Sequence, residues 1–135
     1  MDGPKTTLKP LILAVDDEEA ILEILRLALE EAGFAVHATQ SPNEALRFYE
    51  QNADRVDLVL LDFVMPELPG DLVFEQLQQI NPDVKVILLT GCDDHVAHKM
   101  FAKGLRGYVQ KPFFIDDLVS RIRDTLEAPC TGARE

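Results

Sequence analysis

Five short apolar runs, separated by stretches in which apolar residues recur at helical spacing, constrain this chain more than any other feature. The runs are LILAV at 11–15, FAVHA at 34–38, LVLL at 58–61, VKVILL at 84–89 and YVQ at 108–110. Continuous apolar runs such as LVLL suit strands buried on both faces, the condition of a parallel sheet. Between them, Ile21, Leu25, Ala28, Leu29 and Ala32 mark a helix over 18–32, and Gly33 supplies its stop. Ser41 caps the next helix, which runs to about Ala53, with Pro42 at its first position and Glu44 placed to complete a capping box. Leu72, Val73, Leu77 and Ile80 mark a third helix that Asn81-Pro82 breaks, and Asp93 or Asp94 caps a short fourth helix through Lys103. Leu118, Val119, Ile122 and Leu126 line a final helix over 115–127. Strands alternating with helices predict an α/β fold: a five-stranded parallel sheet with helices on both faces.

The chain's 135 residues suit one domain. Residues 1–10 read as an N-terminal arm, 11–127 as the domain and 128–135 as a C-terminal tail. Lys and Arg total 13 against 24 Asp and Glu, a net charge of −11 that disfavours unspecific binding to nucleic acid or to an anionic membrane. No segment reaches the roughly 18 apolar residues of a membrane span, and the first ten residues lack the apolar core of a signal peptide. Cys92 and Cys130 form no spacing framework and read as reduced thiols. A cytoplasmic protein is the expectation.

The residues just beyond the strands carry the chemistry. They are Asp16-Asp17, Asp62, Thr90 and Lys111, and parallel topology delivers them to one edge of the sheet, where such folds bind ligands. Three gathered carboxylates repel one another unless a cation joins them, and Mg²⁺ favours such oxygen donors. An aspartate is also a nucleophile able to form an acyl phosphate, while Lys111 and the Thr90 hydroxyl suit two phosphoryl oxygens. Singly, each residue has a plainer explanation: acidic pairs cap helices, and a lysine or threonine at a strand end is ordinary. Cys92, His95 and His98 suggest a metal set but lack a fourth ligand, so solvated histidines are the better reading. Met65 reads as core filler, and Pro66 and Gly70 as loop-shaping residues.

VDD at 15–17, LLDFVMPELPG at 60–70, LLTG at 88–91 and YVQKPF at 108–113 together resemble the receiver domain of two-component response regulators. The likeness covers residues 10–127, with Thr90 lying 28 positions after Asp62 and Lys111 another 21 beyond. It implies the strand order 2-1-3-4-5 and Asp62 as phospho-acceptor, with a histidine kinase or phosphotransfer protein as donor. It further implies Mg²⁺ held by Asp16, Asp17, Asp62 and the backbone carbonyl of Val64. Thr90 and Tyr108 match a switch pair, and Lys111-Pro112 a cis peptide bond. Val64 and Cys92 match positions that tune the phosphoryl lifetime; neither positions a water, so slow self-dephosphorylation is expected. Ala20 and Ile24 match a rim that docks the donor's helical bundle. Output is expected through the fourth helix, fifth strand and fifth helix, by a partner or a dimer.

The resemblance implies a switch rather than a turnover enzyme. Haloacid-dehalogenase-type phosphohydrolases carry a second aspartate two residues after the nucleophile, where this chain has Val64. A flavodoxin-like FMN site is disfavoured because Asp16, Asp17, Glu18 and Glu19 would repel phosphate. A pseudo-receiver is disfavoured because every phosphorylation residue is present. A stand-alone receiver and a piece of a larger regulator or hybrid kinase both fit.

Overall fold

The computed structural model describes residues 9–91 and 94–127. The strands are β1 (Leu11–Val15), β2 (Ala35–Thr39), β3 (Val56–Asp62), β4 (Val86–Thr90) and β5 (Gly107–Gln110). The helices are α1 (Glu19–Glu31), α2 (Pro42–Asn52), α3 (Gly70–Ile80), α4 (Asp94–Ala102) and α5 (Ile115–Glu127). All strand pairs are parallel, in the order β2-β1-β3-β4-β5.

Side chains alternate across each strand, so the sheet feeds two cores. Leu13, Val15, Val59, Leu61, Val86 and Leu88 pack with Ala45 and Tyr49 of α2, Val73, Phe74 and Leu77 of α3, and Ala97 and Met100 of α4. Ile12, Ala14, Leu58, Leu60, Ile87 and Leu89 pack on the other face with Leu22, Leu25 and Leu29 of α1 and Leu118 and Ile122 of α5. Among the described residues no helix is long and apolar enough to cross a membrane.

Several element ends differ from the sequence expectation for local reasons. β2 starts at Ala35 because Phe34 closes α1: Gly33 has φ 104°, its N–H donates to the Glu30 carbonyl, and the Phe34 N–H donates to that of Leu29. That is a Schellman turn, and it leaves Phe34 in the core. β4 starts at Val86, since the Val84 N–H donates to the Asn81 carbonyl in a turn. Ser41 caps α2 through the Glu44 N–H, as expected. Glu44 does not complete a capping box. The Ser41 N–H donates to Thr39 Oγ1 at 3.1 Å, and the Thr39 hydroxyl in turn donates to the Glu44 carboxylate. A buried threonine thus stands between the two groups that a capping box would join directly.

Gly70 is fixed by close approach. A Cβ there would lie 2.8 Å from Phe63 Cα and 2.9 Å from the Asp62 carbonyl oxygen. Its N–H donates to the Phe63 carbonyl at 2.9 Å, so the first turn of α3 rests on the backbone that carries Asp62.

Candidate functional site

Register sets the site. Val15 pairs Leu61, Asp62 pairs Leu89 and Thr90 pairs Gln110, so β1, β3, β4 and β5 all end at one edge. Asp16 is fully buried there, Asp62 is 5% exposed and Thr90 is 4% exposed, while Asp17 is more open. One carboxylate oxygen from each of Asp16, Asp17 and Asp62 lies within 4.8 Å of the others. Lys111 reaches across from the end of β5: its Nζ donates to Asp16 Oδ2 at 3.0 Å and to Asp62 Oδ1 at 3.3 Å, and stands 4.0 Å from Glu18 Oε1. The Lys111-Pro112 bond is cis.

Asp16 also accepts the Glu18 N–H at 2.9 Å, so it closes the turn into α1 as well as facing the pocket. The Asp62 carboxyl is pushed up to about 6. Burial is the main cause, followed by the negative charge of Asp16. The charge and hydrogen bond of Lys111 pull it back, and a hydrogen bond with Asp17 raises it further. Burial acts to lower the Lys111 ammonium, but its hydrogen bond with Asp16 and the charges of Asp16 and Asp62 hold it above the ordinary lysine value. The pocket thus concentrates oxygen donors and negative charge around one ammonium. That arrangement fits a hard divalent cation such as Mg²⁺, which favours carboxylate oxygens and tolerates a site completed by water.

The other expected residues spread around this centre. Tyr108 is half-buried two residues before Gln110, pairs Leu88 in register and meets Phe101 of α4 edge-on, with ring centroids 6.1 Å apart. Val64 is 68% exposed, beside the pocket loop. Ala20 and Ile24 are exposed on α1, where Leu27 extends their apolar stripe by another turn. Sequence reading missed Leu27, although its spacing of three from Ile24 was the available signal. Cys92 lies outside the described residues. Glu18, within reach of Lys111, reads in sequence as a helix start and as part of an acidic run, with no sign of a contact to Lys111. Gln40 was missed too: its Nε2 donates to the Asp17 carbonyl at 3.0 Å, and nothing in its local pattern distinguishes it from a surface glutamine.

A doubly wound parallel sheet with a buried aspartate, two further carboxylates and a lysine at its carboxyl edge defines the class. The family model for the response regulator receiver domain matches residues 12–123, and the chain belongs to that family. Receivers are signalling domains of two-component systems. The chain is 34% identical over 117 residues to the sensor kinase CckA of Brucella abortus (strain 2308), covering 86% of this chain and 12% of that protein. It is 37% identical over 128 residues to the response regulator MprA of Mycolicibacterium vanbaalenii, covering 92% of this chain and 54% of the relative. The chain therefore spans a small part of one relative and about half of the other. Among solved structures, a receiver domain protein from Clostridium thermocellum superposes with a TM-score of 0.83 at 33% identity, covering 87% of this chain and 94% of that one.

Proposed function

We propose that this receiver takes a phosphoryl group onto Asp62 from the phosphohistidine of a histidine kinase or phosphotransfer protein. The observation that carries it is the placement of Lys111 Nζ 3.3 Å from Asp62 and 3.0 Å from Asp16, beside a three-carboxylate cluster. A carboxylate oxygen of Asp62 forms the new bond to phosphorus as the donor's P–N bond breaks, and the imidazole leaves with the electron pair and takes up a proton. Lys111 neutralises one phosphoryl oxygen, and the Thr90 hydroxyl is within the same edge to bind another. Asp16 and Asp17, with Asp62 and the carbonyl of Val64, are the groups to hold Mg²⁺. When bound, the ion offsets negative charge on the incoming group.

Residues 11–127 act in this reading as the receiver unit, between an N-terminal arm at 1–10 and a tail at 128–135. Thr90 and Tyr108 form the switch pair, and Val64 with Cys92 sets the lifetime of the acyl phosphate. Ala20 and Ile24 contact the donor. The output surface is α4–β5–α5, engaged by a partner protein or a second copy, and operation is cytoplasmic. A phosphoryl group adds roughly −1.5 to −2 charge at the pocket, the input that shifts the balance of conformations. The domain turns over too slowly to serve as a phosphatase.

Incubation with acetyl phosphate and Mg²⁺, followed by intact mass measurement, tests the reading. A single phosphate adduct on the wild type and none on Asp62→Asn is expected. An adduct on the variant, absence of one on the wild type, or sustained phosphate release at enzymatic rates counts against it.

A further inference from the structure

The turn between β2 and α2 supplies none of the proposed phosphoryl-binding groups, yet it touches both acidic loops. The Asp16 N–H donates to the Thr39 carbonyl at 3.3 Å, and Gln40 Nε2 donates to the Asp17 carbonyl at 3.0 Å. The Ser41 hydroxyl donates to Glu67 Oε1 at 3.1 Å, on the loop that follows Asp62. Three hydrogen bonds close the turn on itself. Ser41 N–H binds Thr39 Oγ1, the Thr39 hydroxyl binds the Glu44 carboxylate, and the Glu44 N–H binds Ser41 Oγ.

Within the loop at 16–18, the Asp16 carboxylate accepts the Glu18 N–H at 2.9 Å. Glu18, the N-cap of α1, makes no side-chain cap hydrogen bond among the described residues, and Gln40 ties the main chain of Asp17 from outside the loop. The Gln40 amide can serve a carbonyl only as a donor, so its orientation is set by the contact.

We propose that Gln40 is a positioning residue for the metal-binding loop: by holding the Asp17 backbone carbonyl it fixes where the Asp17 carboxylate stands relative to Asp62, and so sets the affinity for Mg²⁺. This rests on the reading of Asp16, Asp17 and Asp62 as a Mg²⁺ site. Partners bonded straight to a ligand side chain typically govern affinity by about 10–100-fold; Gln40 acts further away, through the main chain, so a shift of about three- to tenfold is expected.

Gln40→Met keeps the length of the side chain and removes the donor, and the position is exposed, so the variant folds. Calorimetric titration with MgCl₂ should show its Kd raised by about three- to tenfold. The Mg²⁺ concentration that half-saturates adduct formation from acetyl phosphate rises by the same factor, while the rate at saturating Mg²⁺ changes by less than about twofold. The melting temperature in EDTA stays at the wild-type value. An unchanged Kd overturns the role of Gln40 and leaves the phosphorylation reading standing. So does a lower saturating rate with a lower melting temperature and the wild-type Kd. A wild type that neither binds Mg²⁺ nor forms an adduct overturns both.

Discussion

One ammonium faces the carboxylates of Asp16 and Asp62 at 3.0 and 3.3 Å, with Asp17 and Glu18 close by, and that imbalance sets the acid–base behaviour of the pocket. The Asp62 carboxyl sits near 6 in the fold against an ordinary 3.8. A raised carboxyl means that the folded chain binds more protons here than the unfolded chain does between those values. Its contribution to stability therefore rises as pH falls through about 6 and is complete below about 4. Above pH 7 the ionised group costs up to about 3 kcal/mol, at 1.36 kcal/mol for each pH unit of displacement. Asp62→Asn removes that titration. In EDTA the variant should be more stable than the wild type by about 1–3 kcal/mol at pH 7.5, with the gap closing by pH 4.5. Urea unfolding at both pH values checks this, and a gap that ignores pH would refute the assignment. Of the pocket residues, Asp16, Asp17, Asp62, Thr90 and Lys111 were legible because strand ends in a parallel sheet share an edge. The contacts of Glu18 and Gln40 with the pocket depend on three-dimensional register and side-chain reach, which have no local pattern.

At the scale of elements, strands announce themselves through apolar runs and helices through their period, and the misplaced ends fall where a side chain or a turn intervenes. Phe34 looks like a strand residue because it is apolar, yet it belongs to the Schellman closure of α1. Glu44 fits a capping-box spacing, yet the Thr39 hydroxyl intercepts its carboxylate. Gly70 and Gly91 look alike in sequence but sit in opposite surroundings. A Cβ at Gly70 meets backbone at 2.8 Å, whereas one at Gly91 meets nothing within 4 Å among the described residues. Gly70→Ala should cost about 1–3 kcal/mol by forcing α3 off the backbone of residues 62–63. Gly91→Ala should be neutral or stabilise by up to about 1 kcal/mol, because it only restricts the unfolded chain. Urea midpoints for the pair give the comparison, and equal losses at both positions would contradict this geometry.

For the whole molecule, alternating strands and helices made the layered fold legible, with a parallel sheet between two cores. The strand order rested instead on the family resemblance, since several right-handed arrangements satisfy the same pattern. Binding of a cation at the pocket is a whole-molecule matter because it favours only the folded chain. At pH 7.5, Mg²⁺ at 100 times its Kd should stabilise the wild type by about 2.7 kcal/mol. The gain should shrink at pH 5, where protons compete for the carboxylates, and chelation should reverse it. Thermal melts across a Mg²⁺ series measure the effect. The way α4 is tethered has a mechanical corollary. Its far end is clamped to α3: Gln78 Nε2 binds the Lys103 carbonyl, Lys103 Nζ pairs with Glu75 at 3.3 Å, and Gly104 turns the chain at φ 117°. These ties join α4 to α3 through the chain just beyond Ala102, so a substitution at Glu75 or Gln78 reaches α4 from a different helix.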